Sequence, residues 1–292
     1  MKISRRDMLA MMGSGICVVG LPKTGEAAFW KKKEKIGLAL QLYSIRNHCG
    51  QDIDKALAEV AELGYEAVEF AGYYKYGNDA ASLKTKLDSL GLKVAGTHIR
   101  AGELSDQKIE KTIAFHKEIG CKYLVVPGDG RFTHPEGSKE FAAQMKRAAE
   151  VLKPHGMACG YHNHTKEFSK NGDKTYWDLF AERTGEDVVL QQDVGWTTHA
   201  GLDPVELIKK YPGRTKTTHF KPTVTQGDQG KQPIIGQDSV DWKGIISACY
   251  DVGGTDWFIV EQERYLSGKS PMECSGLSLK GLKSILKEMK RL

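Results

Sequence analysis

Leu63-Gly64-Tyr65-Glu66-Ala67-Val68-Glu69-Phe70 sets the reading of the whole chain. A helical face (Ile53, Leu57, Val60 and Ala61, at three- and four-residue spacing) runs into it from the N-terminal side. Gly64 supplies the left-handed conformation that closes a helix, and a short apolar run begins at once. The same unit recurs. Leu90-Gly91 precedes the run 92–98, Ile119-Gly120 the run 121–127, His155-Gly156 the run 157–162 and Thr184-Gly185 the run 188–193. Pro212-Gly213 then precedes 214–220, and Gly253-Gly254 precedes 257–260. Successive glycines stand 27, 29, 36, 29, 28 and 40 residues apart.

The runs are continuous in apolarity, as parallel strands covered on both faces are. With a first strand at residues 36–43 there are eight β/α units of about thirty residues each. The expected fold is therefore α/β, a closed (β/α)8 TIM barrel forming a single domain over residues 29–292. An open doubly wound sheet fits less well, because no Gly-x-Gly-x-x-Gly follows the first strand. No linker divides the chain. The longest loop, residues 222–241, follows strand 7 on the functional face, where its length suggests a lid or an oligomer contact.

The chain has 292 residues and a formal charge of +5, carried mainly in local runs such as Lys31-Lys32-Lys33. A nucleic-acid partner is not expected from so weak a balance. Ser4-Arg5-Arg6-Asp7-Met8-Leu9 is a twin-arginine pattern. An apolar stretch over residues 10–21 follows it, and then the small residues Gly25, Ala27 and Ala28. Residues 1–28 read as a signal for twin-arginine export of the folded protein to the periplasm. Its removal would take away four Lys/Arg and two Asp/Glu, leaving +3. No later stretch is long and apolar enough to span a bilayer, so no membrane anchor is expected after signal removal. Beyond Cys17 the cysteines are Cys49, Cys121, Cys159, Cys249 and Cys274, with no Cys-x-x-Cys. Neither a disulfide framework nor a zinc ribbon is indicated.

In such barrels chemistry gathers where the strands end. Strand 2 ends Val68-Glu69-Phe70, strand 3 Thr97-His98 and strand 5 Tyr161-His162-Asn163-His164. Strand 6 ends Gln192-Asp193, strand 7 His219-Phe220-Lys221 and strand 8 Val260-Glu261-Gln262-Glu263. Ionisable groups are disfavoured in apolar strands unless paired or ligating. Imidazoles and carboxylates without a thiolate suit Mn, Co, Fe or Zn. Inward-facing groups from strands 5 to 8 would converge on one divalent ion.

The chain resembles the xylose isomerase-like TIM barrel superfamily, the sugar phosphate isomerase/epimerase and AP endonuclease family 2 group. The resemblance covers nearly all of residues 36–292. It rests on Gln41-Leu-Tyr-Ser-Ile-Arg46, Leu63-Gly-Tyr-Glu-Ala-Val-Glu69, Gly160-Tyr-His-Asn-His164 and Asp193-Val-Gly-Trp196 with Ala200-Gly-Leu-Asp-Pro204. His219-Phe-Lys221 and Val260-Glu-Gln-Glu263 complete it. The family commonly binds its metal through Glu, Asp, His and Glu on strands 5 to 8, and these positions are His162, Asp193, His219 and Glu261.

Strand 5 departs by offering His162 where a Glu is usual, which leaves His164 or Glu167 open as ligand or base. The strand-7 signature departs too, with Pro222 where an Asp often stands. Trp196 stands where the endonuclease branch needs a further zinc-binding His, which argues against a trinuclear site.

The resemblance implies a small-molecule sugar substrate, non-phosphorylated if the protein is exported, and a divalent-metal-dependent isomerase/epimerase working through an enediolate. Glu261 would share the proton transfer with His164, or next with His98, while Glu69, Lys221, Glu263 and Trp196 would hold substrate. The alternatives are a 3-keto-glycoside lyase that eliminates the aglycone, and a non-catalytic sugar-binding barrel. A homo-oligomer is possible for either.

Overall fold

Eight parallel strands form the barrel in a computed structural model that describes residues 35–292. They are β1 (Gly37–Gln41), β2 (Ala67–Phe70), β3 (Lys93–His98) and β4 (Tyr123–Val126), then β5 (Ala158–His162), β6 (Val189–Asp193), β7 (Thr217–Phe220) and β8 (Trp257–Val260). Each pairs with the next and β8 closes on β1, which confirms the expected (β/α)8 class. The twin-arginine segment lies outside the described residues. Among the described residues no helix is long and apolar enough to cross a membrane.

The glycine-capped units form as the repeat requires. Gly64, at φ 88°, closes the helix Ile53–Leu63 and donates its amide back to Ala61 and Val60. The last unit differs. Its helix Trp242–Ala248 continues into a π-helical turn, Cys249–Gly253, so the left-handed residue is Gly254 at φ 65°. The wider turn takes up an extra residue and moves the cap along by one.

Side chains two apart on a strand share a face, and this stacks the barrel interior in layers. At the bottom lie Ala39, Ala67, Ala95 and Ile259 with the Trp257 ring, which fills the space a Cβ on Gly37 would need, 2.2 Å away. Two residues further along come Gln41 on β1, Glu69 on β2 and Gln191 on β6, all fully buried. Above them stand His162, Asp193, His219 and Glu261. The β2–β3 register shifts between Val68 and Glu69, leaving Ala95 unpaired and setting Glu69 opposite Gly96. That bulge resets the alternation and brings His98 to the interior.

The loop 222–241 has no helix or strand. It is nevertheless anchored. Ile234 and Ile235 are buried, Ile235 donates its amide to Ser278, and Gln262 donates to the Pro233 carbonyl. A Cβ on Gly281 would meet the Ile235 carbonyl oxygen, so the long helix Pro271–Glu288 offers the loop a bare backbone seat. The five cysteines of the described residues are buried and unpaired.

Candidate active site

The four strand-end residues converge. His162, Asp193, His219 and Glu261 are all buried, and one ligand atom from each lies within 4.8 Å of the others. A second set, His98, His162 and His219, shares two of these residues.

Local folding divides the work of Asp193. It caps the helix Val194–His199, its Oδ1 accepting the Trp196 amide at 2.8 Å. Its own amide donates to Asn163 Oδ1 at 2.9 Å, which ties the β5 end to the β6 end. Its Oδ2 is buried without a hydrogen-bond partner, with His162 Nε2 at 3.8 Å and the Lys221 ammonium at 3.9 Å. A buried carboxylate oxygen left unmatched costs free energy unless a cation meets it. Burial pushes the Asp193 carboxyl up to about 7, against the pull of Lys221.

His219 lies between two carboxylates. Nδ1 contacts Glu261 Oε2 at 2.7 Å and Nε2 contacts Glu69 Oε2 at 2.5 Å. Burial alone would lower its pKa, but Glu69 and Glu261 raise it to about 10. Glu261 is buried too, yet Lys221 and His219 hold its carboxyl well below the usual range. Lys221 is ion-paired to Glu263, lies 3.8 Å from Glu261 Oε2 and stands 4.7 Å over the Trp196 ring. It therefore balances carboxylate charge at the cluster. Gly195 makes room for it, since a Cβ there would come within 2.9 Å of Lys221 Cβ.

His162 fits the ligand role on its own geometry. Its Nδ1 is 3.1 Å from Gln191 Oε1, which leaves Nε2 toward Asp193. Burial, with His219 and His98 nearby, pushes its pKa well below the ordinary value, so the ring is neutral and carries a lone pair. The donor set of two imidazoles and two carboxylates around an unmatched oxygen suits one divalent ion of the Mn, Co, Fe or Zn type. Lewis-acid polarisation of a carbonyl and acidification of the neighbouring C–H is the chemistry such an ion supplies.

A cavity of about 400 Å³ opens above the cluster. Tyr43, His98, Arg100, His164, Trp196 and Glu263 line it, with His162 and Glu261 at its base. The His164 ring stands 5.0 Å from that of His162 and 5.6 Å from that of Trp196, and it is not part of the four-residue cluster. Burial, opposed by Glu167 and Glu261, lowers its pKa, so it too is a neutral acceptor. A larger hollow of about 550 Å³ lies at the opposite end, around Gly37 and Trp257, away from the ligand cluster.

Two assignments change. Glu69 is not in the mouth. It is fully buried, its oxygens accept from Gln41 at 2.6 Å, Gln191 at 2.7 Å and His219, and it does not line the cavity. Glu167 is fully buried as well, taking the His164 amide at 2.9 Å and the Tyr161 hydroxyl at 3.1 Å, and it belongs to neither of the ligand sets. Glu263 and Trp196 line the cavity as expected, and Lys221 lines the small hollow beside it. Gln41, Gln191 and Thr217 were not singled out from the sequence. A glutamine inside an apolar strand was the available signal. Tyr43 lay within the family motif 41–46 without being assigned a role, and Arg100 of the mouth carried no signal.

The sequence model of the xylose isomerase-like TIM barrel family matches residues 57–285. An inosose dehydratase of Geobacillus kaustophilus is 25% identical over 250 residues, covering 72% of this chain and 80% of that protein. An inosose dehydratase of Lacticaseibacillus casei is 26% identical over 260 residues, 75% of this chain and 85% of that one. Among solved structures, a sugar phosphate isomerase/epimerase of Parabacteroides distasonis is 25% identical with a TM-score of 0.69, covering 91% of this chain and 99% of that one. An L-ribulose 3-epimerase shares the fold at 15% identity and a TM-score of 0.64.

Proposed function

The chain belongs to the xylose isomerase-like TIM barrel family, and on that premise we propose that it is a divalent-metal-dependent lyase of keto-sugars or keto-polyols. It would remove the acidic proton beside a carbonyl and expel the oxygen substituent one carbon further on. The observation that carries this reading is the strand-5 residue. Family epimerases share the proton transfer between carboxylates on strands 5 and 8. Here strand 5 contributes the neutral imidazole of His162 to the cluster, and a second neutral imidazole, His164, faces the cavity.

One base suffices for elimination. In the proposed sequence His164 takes the α-proton, and the C–H electron pair delocalises onto the carbonyl oxygen as an enolate. The enolate then collapses to a C=C bond as the β C–O bond breaks. The departing oxygen takes that proton back from the His164 imidazolium, leaving as water or as an alcohol and restoring the neutral ring. His98 is the next candidate for the base, and Glu261 would be one of the residues that hold the ion. Trp196 and Glu263 would hold the sugar ring and its hydroxyls, with Lys221 beside them. The dehydratase names of the relatives support the same order of preference, which reverses the sequence expectation of an isomerase/epimerase.

Isomerisation or epimerisation is the second reading, favoured by the name of the Parabacteroides distasonis structure. Periplasmic export is proposed on the N-terminal sequence alone, and it points to a non-phosphorylated substrate. Incubation of metal-loaded protein in heavy water with inososes, 3-keto-glycosides and free sugars separates the readings. Release of water or aglycone with formation of an unsaturated ketone is the expected result. Deuterium exchange without elimination would favour the second reading, and neither outcome would favour a sugar-binding barrel.

A further inference from the structure

One buried carboxylate lies within hydrogen-bonding reach of two histidines of the site and is linked to a third through a single amide. Glu69 Oε2 lies 2.5 Å from His219 Nε2 and 3.2 Å from His98 Nε2, and also accepts from Gln41 Nε2 at 2.6 Å. Glu69 Oε1 accepts from Gln191 Nε2 at 2.7 Å. Gln41 Oε1 takes the Tyr43 amide at 3.0 Å, which leaves Gln41 Nε2 to donate to Glu69, so the Glu69 oxygens act here as acceptors.

That fixes the Gln191 amide. Its nitrogen must face the Glu69 carboxylate and Thr217 Oγ1, the latter at 2.8 Å. Its oxygen is then turned to His98 Nε2 at 2.8 Å and His162 Nδ1 at 3.1 Å. An amide oxygen cannot donate, so both rings must. His98 carries its hydrogen on Nε2 and His162 on Nδ1. The lone pairs fall on His98 Nδ1 and on His162 Nε2, the atom nearest Asp193.

We infer that Glu69 is the positioning residue of the site, setting through Gln191 which ring nitrogens of His98 and His162 are free to ligate or accept a proton, and holding His219 directly. The barrel keeps space for it. Gly96 faces Glu69 across the β2–β3 register, and a Cβ there would lie 2.9 Å from Glu69 Oε1. An outer carboxylate that orients ligating imidazoles is a general way to raise metal affinity.

The test is a two-bond 1H–15N correlation spectrum of metal-free protein with labelled histidine, the rings assigned by single replacements. It needs neither metal nor turnover, so it stands or falls apart from the proposed reaction. Wild type should show His98 protonated on Nε2 and His162 on Nδ1. Glu69→Gln adds a competing donor and should redistribute both tautomers. It should also weaken Zn2+ binding by about 10- to 100-fold with the circular dichroism spectrum unchanged. His162 found protonated on Nε2 in wild type overturns the inference, whatever the variant does. So does a folded Glu69→Gln protein with both tautomers and Zn2+ affinity unchanged.

Discussion

His162 Nε2 and Asp193 Oδ2 face each other 3.8 Å apart in full burial, and the oxygen has no hydrogen bond among the described residues. The other oxygen of Asp193 is spent on a helix cap. One side chain thus holds a structural role and an unfilled one.

Asp193→Asn separates them. The amide oxygen can still cap the helix, so the fold should survive. The metal-free variant should melt close to metal-free wild type, because the buried charge that burial disfavours is exchanged for a neutral amide of the same shape. Metal affinity should fall by more than about a hundredfold, beyond what outer-shell changes cause. Calorimetric metal titration and a melting curve of the stripped proteins check both halves.

His162→Ala and His164→Ala should part company. The first removes a cluster member and should lose both metal and activity. The second should keep the full metal content and lose turnover by roughly 10²- to 10⁴-fold, the range for a general base. Metal loss in His164→Ala would make it a ligand and leave the base unassigned.

Gly96→Ala probes the seat of Glu69. The new methyl would stand 2.9 Å from Glu69 Oε1 and 3.3 Å from the Tyr123 carbonyl oxygen. Overpacking of this kind costs about 1–3 kcal/mol. Metal affinity should drop along with the melting temperature, because displacing Glu69 disturbs His219. A variant that melts lower but binds metal as tightly as wild type would separate Gly96 from the site.

Asp238 should make stability pH-dependent. Burial raises its carboxyl to about 6, against hydrogen bonds from Trp242 and Thr223. Its unfolded value is about 3.9. The native state therefore holds the proton more tightly. The gain is complete below about pH 4 and is lost as pH rises through about 6, worth at most roughly 3 kcal/mol. Asp238→Asn keeps an acceptor for Trp242 and cannot ionise. Its melting temperature should gain on wild type between pH 4 and pH 7, and a pH-independent difference would contradict this.

The eight strands and their order were legible because each β/α unit ends on a glycine whose conformation few other residues adopt. Polar groups closing apolar strands are costly without a partner, which marked the strand ends; the family resemblance picked His162, Asp193, His219 and Glu261 from among them and left His164 open beside His162. Glu69 misled for a physical reason. Strands in a barrel are staggered, so the end of one run does not lie at the height of another. The β2 end is level with Gln41 of β1, a layer below the mouth, and the bulge opposite it cannot be read from β2 itself. The support of Gln191 was hidden for the same reason, since its partners come from strands far apart in sequence. The loop 222–241 was read from its length as a lid or an oligomer contact, and the residues that anchor it at Ile234 and Ile235, namely Gln262, Ser278 and the bare backbone of Gly281, lie far along the chain.

Metal content is the most direct measure of the central claim. The protein should be stripped with a chelator, reloaded separately with Mn2+, Co2+, Zn2+ or Fe2+ and freed of excess ion before elemental analysis. One ion per chain with at least one of these metals, reduced to a trace in His162→Ala, is the predicted result. Substoichiometric binding of all four by folded wild-type protein would contradict a His162/Asp193/His219/Glu261 metal centre and the lyase chemistry built on it.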